Sequence, residues 1–159
     1  MKQFISIVVP VFNEERNVEP LYDSIISVMK EKKIGHEIIF VDDGSTDNSF
    51  GVMKKIFEKD NNVNIVRLRK NFGQTAALDS GFKNAKGDVI VVMDADMQND
   101  PRDIPKLLGK LDEGYDVVSG WRQKRKDGLS KVLFSRIANR FRRFLTGERI
   151  HDSGCSLKV

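Results

Sequence analysis

At 159 residues and 18.1 kDa the chain is sized for one domain, and 40% hydrophobic with 31% charged residues excludes a disordered or fibrous class. The single Cys155 excludes an internal disulfide and a zinc cluster, and no apolar run approaches the ~20 residues of a membrane-spanning helix. The net charge of +4 is segregated: residues 119–159 hold 11 Lys and Arg against 3 Asp and Glu, a net of +8, on a body of residues 1–118 that is net −4.

The amino terminus reads as a strand at Ile5–Val9, not as a signal peptide. Asn13, Glu14 and Glu15 follow it, with Asn13 where a helix N-cap is expected. Leu21, Ile25, Ile26, Val28 and Met29 recur at helical spacing within Val18–Lys32, and Gly35 stands where a helix stop belongs. The second strand, Ile38–Val41, ends at Asp42 and Asp43. Ser45 takes a second N-cap position ahead of a helix at Asn48–Glu58. A third strand at Val63–Leu68 leads to Lys70 and Asn71, then a helix over Thr75–Ala85 stopped near Gly87. The fourth strand, Val89–Met93, ends at Asp94 and Asp96. A helix at Ile104–Leu111 and a short fifth strand at Val117–Val118, followed by Trp121 and Arg122, complete the series.

Fully apolar strands alternating with amphipathic helices predict an α/β fold with a mainly parallel sheet covered on both faces. The polar residues after each strand then share the carboxyl edge, where open sheets of this class bind ligands. Carboxylates follow strands one, two and four, and basic residues follow three and five. That pattern suits a ligand carrying phosphates and a metal. Neither G-x-G-x-x-G nor G-x-x-x-x-G-K-[ST] is present, so phosphate charge falls to a cation and to Lys or Arg.

Asp94 and Asp96 sit one residue apart, so in an extended segment both carboxylates point the same way. Hard divalent ions such as Mg²⁺ or Mn²⁺ take oxygen ligands, and Mg²⁺ characteristically uses one or two carboxylates together with substrate phosphates. Caps for the next helix are the other reading of the pair. So is a phosphohydrolase with Asp94 as nucleophile and Asp96 as acid/base, although such enzymes place the pair after their first strand.

Seven segments in chain order resemble the inverting glycosyltransferases of family 2, in the branch that transfers sugars to polyprenyl or dolichyl phosphate. They are Val9–Glu15 (VPVFNEE), Val41–Asp47 (VDDGSTD), Asn71–Gln74 (NFGQ), Asp94–Gln98 (DADMQ), Gly120–Arg122 (GWR), Ser135–Asn139 (SRIAN) and His151–Cys155 (HDSGC). The resemblance implies a GT-A fold, a Rossmann-like sheet with a nucleotide-diphosphate sugar at its carboxyl edge. Pro10, Phe12 and Glu14 would border base and ribose, and Val41 and Asp43 would contact the nucleoside. Asp42 and Asp47 read better as loop and cap residues. Lys70 would reach the donor, and Ala95 would lie between the two metal-binding aspartates. Asp94 and Asp96 would hold Mg²⁺ or Mn²⁺, with Gln98 assisting directly or through water. Arg122 and Arg136 would face the diphosphate or the incoming lipid phosphate, and Asp152 matches the acceptor-side aspartate of the family. A phosphate monoester is already mostly dianionic near neutral pH, its second pKa being about 6. Asp152 is therefore as well suited to orienting the acceptor as to acting as a base.

Leu129, Leu133, Ile137, Phe141 and Phe144 form an apolar stripe on a predicted helix over 129–145, with Lys131, Arg142 and Arg143 outside it. Such basic amphipathic helices lie on anionic membrane surfaces. The basic quarter lacks the interleaved aromatics of a nucleic-acid binder. Members of this branch continue beyond the position of Val159, as a rule into membrane-spanning helices. The reading is thus a catalytic domain over 1–159 that stops early, soluble by itself and acting on the cytoplasmic face of a membrane in the longer protein. Transfer to a saccharide hydroxyl instead of a lipid phosphate remains the alternative within the family.

Overall fold

A computed structural model of the chain describes residues 3–120 and 155–159. Four strands, β1 (Phe4–Val11), β2 (Gly35–Asp42), β3 (Val63–Arg67) and β4 (Val89–Val92), pair in parallel in the order β3-β2-β1-β4. Helices α1 (Val18–Lys32), α2 (Ser49–Phe57) and α3 (Gln74–Asn84) link them in turn, and α4 (Ile104–Leu111) follows β4 after a single 3-10 turn at Pro101–Asp103. β1 occupies the middle, with Ile7 opposite Ile38 on one side and Val91 on the other.

Strict alternation along the strands divides the core in two. Ile5, Ile7, Val9 and Val11 of β1, with Ile38 and Phe40 of β2, pack beneath α1 through Leu21, Ile25 and Met29, beneath α2 through Met53, and beneath α4 through Ile104. Val8, Ile39 and Val41 point to the opposite face and pack on Ala77 of α3. Each large aliphatic side chain fully buried this way contributes about 1.5–3 kcal/mol. α3 lies close on the sheet because Gly81 has no side chain: a Cβ there would stand 2.3 Å from Val8 Cγ1.

All strands run the same way, so their carboxyl ends share one edge. The chain passes from β1 to β2 and β3 on one side, then crosses to β4 on the other. The crevice between the ends of β1 and β4 is therefore the topological switch point, where open α/β sheets bind ligands.

Two expectations from sequence need correction. No regular fifth strand forms at 117–118: Val117 is exposed, and the residues after it meet the tail through an isolated bridge of Ser119 with Lys158 and the backbone bonds that flank it. Residues 155–159 instead insert antiparallel between β4 and the 118–120 segment. Val92 and Lys158 exchange both backbone bonds, at 2.8 and 3.1 Å, and so do Val118 and Val159, at 2.7 and 2.9 Å. A run of two apolar residues was too short to pair alone, whereas the tail supplies hydrogen bonds to both neighbours. The predicted caps also move. α1 begins after Asn17 and α2 after Asn48, neither with a side-chain cap, and Lys33 in the left-handed conformation ends α1 before Gly35 opens β2.

Candidate active site at the carboxyl edge

Asn13 and Ser45, displaced from capping, join the loops after β1 and β2. Asn13 adopts a left-handed φ of 58°. Its Oδ1 accepts from the Thr46 amide at 2.8 Å, the Thr46 hydroxyl at 3.2 Å and the Asp47 amide at 3.3 Å, while its own amide donates to Ser45 Oγ at 3.1 Å. Glu14 N donates to Ser49 Oγ at 2.8 Å, and Glu15 N to Asp47 Oδ2 at 3.1 Å. Glu15 returns a bond from its Oε2, which accepts from Asn48 N at 3.0 Å. Burial raises the Asp47 carboxyl, but hydrogen bonds from Ser49 and from the Glu15 amide outweigh that and hold it below the ordinary aspartate range. The two loops thus form one rigid wall.

The paired aspartates ending β2 divide their work. Asp42 is fully buried: its Oδ1 accepts from Ser45 N at 2.9 Å and its Oδ2 lies 3.3 Å from Arg67 Nε, without the angle of a hydrogen bond. Asp43 turns toward the loop after β3, where Oδ1 accepts from Phe72 N at 2.8 Å and Oδ2 from Gly73 N at 2.9 Å. That loop crosses directly over Gly44, whose φ is +70° and whose added Cβ would stand 2.4 Å from the Lys70 carbonyl carbon. Only glycine fits there.

Beyond β4, Asp94 Oδ1 accepts from Gln74 Nε2 at 2.7 Å, and Asp96 Oδ1 accepts from Gln98 N at 3.0 Å. Among the described residues neither Oδ2 has a hydrogen-bond donor. Ala95 between them is buried and serves as an anchor, and Met97 turns the chain away with φ 61°. Asn99, also buried, ties this loop to the tail, donating from Nδ2 to Ser156 Oγ at 2.7 Å.

These walls enclose a cleft of about 300 Å³ lined by Pro10, Val11, Phe12, Glu14, Asp43, Asn71, Gly73, Gln74, Asp94, Ala95 and Asp96. Pro10, Phe12, Glu14, Asp43, Asp94, Ala95 and Asp96 are expected from sequence and come together in this cleft. Val41 does not line it; its side chain is fully buried against α3. Lys70 lies outside the lining, its Nζ 5.1 Å from the Phe72 ring centre. Gln98 contributes its backbone amide to Asp96 while its side chain is exposed. Arg122, Arg136, Asp152 and the basic helix expected over 129–145 fall outside the described residues. Gln74, Asn71 and Gly73 enter as additional lining residues. Their signal in the sequence was position, immediately after the third strand, within the NFGQ segment.

The donor set fits a divalent cation. Two aspartate oxygens on one loop have no donor among the described residues, at the rim of the cleft. Among the described residues no three His, Cys, Asp or Glu side chains converge to hold an ion by themselves. The pair therefore matches an ion held jointly by protein and ligand.

The model of the family described as "Glycosyl transferase family 2" matches residues 6–156. A dodecaprenyl-phosphate galacturonate synthase of Rhizobium johnstonii is 43% identical over 98% of this chain and 47% of its own length. An undecaprenyl-phosphate 4-deoxy-4-formamido-L-arabinose transferase of Proteus mirabilis is 38% identical over 98% of this chain and 48% of its own. The chain thus spans about half the length of these curated relatives. Among solved structures, glucosyl-3-phosphoglycerate synthase from Mycobacterium tuberculosis in complex with Mn²⁺, UDP-glucose and phosphoglyceric acid superposes with a TM-score of 0.76. The identity is 23%, over 98% of this chain and 55% of that one. That likeness establishes the GT-A fold. With the fold, the carboxylate pair at the switch point and a family match over nearly its whole length, the chain belongs to glycosyl transferase family 2.

Proposed function

We propose that the protein is a metal-dependent inverting glycosyltransferase that moves a sugar from a nucleotide-diphosphate sugar to a polyprenyl phosphate. The observation that carries this reading is the Asp94-Ala95-Asp96 rim of the cleft, with the Pro10, Phe12, Glu14 and Asp43 wall beside it. The donor class and the divalent ion are supported by the fold neighbour solved with Mn²⁺ and UDP-glucose. The acceptor class is supported by the two relatives named for dodecaprenyl and undecaprenyl phosphate.

In this mechanism the nucleoside lies against the wall made by the stitched loops after β1 and β2, and the diphosphate reaches the rim. Asp94 and Asp96 would hold Mg²⁺ or Mn²⁺, with Gln98 nearby. When bound there, such a cation would neutralise the charge that grows on the departing diphosphate oxygen. Arg122 and Arg136 are assigned to the diphosphate and the incoming lipid phosphate, because a guanidinium binds two phosphate oxygens at once. Asp152 orients the acceptor. A phosphate oxygen of the dianionic acceptor forms its bond to the anomeric carbon as the bond from that carbon to the diphosphate breaks on the opposite face. The configuration inverts, and no proton need be removed.

The test uses radiolabelled nucleotide sugars with undecaprenyl phosphate in detergent. Mn²⁺-dependent label in the lipid, lost in Asp94→Asn, is expected. Label only in a free saccharide acceptor would assign the saccharide-hydroxyl branch. Inorganic phosphate released from simple phosphoesters, with no sugar transfer, would assign a phosphohydrolase.

A further inference from the structure

Gln74 is the first residue of α3, is exposed, and still commits its amide to one partner, donating from Nε2 to Asp94 Oδ1 at 2.7 Å. A long polar side chain in water gives up rotamer freedom to hold such a geometry. Its backbone is set from two sides. Asp43 accepts from Phe72 N and Gly73 N, and Asn71 Oδ1 also accepts from Gly73 N at 3.1 Å. Beneath, the Lys70 and Asn71 backbone rests on Gly44, where no Cβ fits. The end of β2 thus fixes the start of α3, and the start of α3 fixes one aspartate at the end of β4.

We propose that Gln74 is a positioning residue for the cation site: its amide occupies Asp94 Oδ1 and leaves Oδ2 to bind the ion through a single oxygen. This rests on the glycosyltransferase reading above and assigns a residue that reading leaves without a role. A carboxylate offering both oxygens would take two coordination positions and rotate between binding modes. Engaging one oxygen preserves a position for the diphosphate. Outer partners of metal ligands act this way, and their loss costs about 10–100-fold in metal affinity. The same connection links Asp43, on the nucleoside wall, to Asp94 at the rim, so the two halves of the cleft share one support.

The test compares wild type with Gln74→Met, which keeps length and removes the donor. Calorimetry measures the Mn²⁺ concentration needed for half-maximal binding of uridine diphosphate, and then uridine diphosphate affinity at saturating Mn²⁺. The expected result is about a 10-fold rise in the Mn²⁺ requirement, with nucleotide affinity at saturating Mn²⁺ and the metal-free melting temperature both unchanged. An unchanged Mn²⁺ requirement would overturn the proposal while leaving the functional reading intact. Equal loss of nucleotide affinity at every Mn²⁺ concentration would overturn it in favour of direct ligand contact by Gln74. A wild type that binds no uridine or guanosine diphosphate with Mn²⁺ would overturn both. A lowered metal-free melting temperature in the variant would make Gln74 a fold-stabilising residue and overturn the positioning role.

Discussion

Asp43 shows how one side chain can serve the fold and the cleft together. Buried and accepting from two backbone amides, it uses two of roughly four lone-pair directions and keeps the rest toward the cavity. Hydrogen bonds to a charged group contribute about 1.5–3 kcal/mol each, and removing the acceptor leaves amides unpaired. Asp43→Ala is expected to cost about 2–3 kcal/mol in urea unfolding and to weaken nucleotide binding as well. Unaltered stability would show that the 71–73 loop is held by other means. The residue types at the rim were legible in sequence because carboxylates just beyond apolar strands have few reasons to be there. Val41 and Lys70 did not join the lining, since the facing of a strand residue depends on register and the direction of a loop lysine on the loop.

At the scale of elements, close approach and clamping can each be tested. Gly81→Ala sets two effects against each other. Alanine gains about 1 kcal/mol in a helix interior, whereas overpacking a fully buried contact costs about 1–3 kcal/mol. With Val8 Cγ1 only 2.3 Å from the new methyl and held by a β-branched strand residue, overpacking prevails. The expected outcome is a net loss that Val8→Ala, combined with it, partly relieves; a stabilised single variant would disprove the close fit. The second test concerns Tyr22 on α1, which donates to Asp60 Oδ2 at 2.8 Å beyond α2. Burial and then the Asp60 hydrogen bond push its hydroxyl from 10.0 up to about 12. A pKa raised by folding adds stability that is fully present below the unfolded value and disappears as pH climbs through the folded one. Stability should therefore decline between pH 10.0 and about 12, and Tyr22→Phe should flatten that decline relative to wild type. Equal slopes in denaturation titrations would dismiss the clamp.

At the scale of the whole molecule, charge is segregated along the chain. The basic quarter follows, along the chain, an acidic body whose cleft carries Glu14, Asp43, Asp94 and Asp96. We expect binding to vesicles containing phosphatidylglycerol that weakens with salt, since each Lys or Arg near an anionic surface contributes about 1 kcal/mol. Arg142→Glu with Arg143→Glu should release the chain in sedimentation assays. Retention of the double variant would remove residues 129–145 from membrane contact. Elements announced themselves in sequence by period and composition: α1 and α4 match their expected spans, and the four strands lie where apolar runs predicted them. The first four motif segments follow the ends of β1 to β4, and strand ends converge in a parallel sheet. Sequence could not decide which loops would bond across space. Asn13 and Ser45 have the chemistry of caps, and only tertiary contact made them stitches between two loops. Nor could it place the tail antiparallel against β4, or bring Gln74 to Asp94 across 20 positions. Local periodicity determines what each segment can become, while pairings distant along the chain depend on which surfaces the packed core brings within hydrogen-bonding reach.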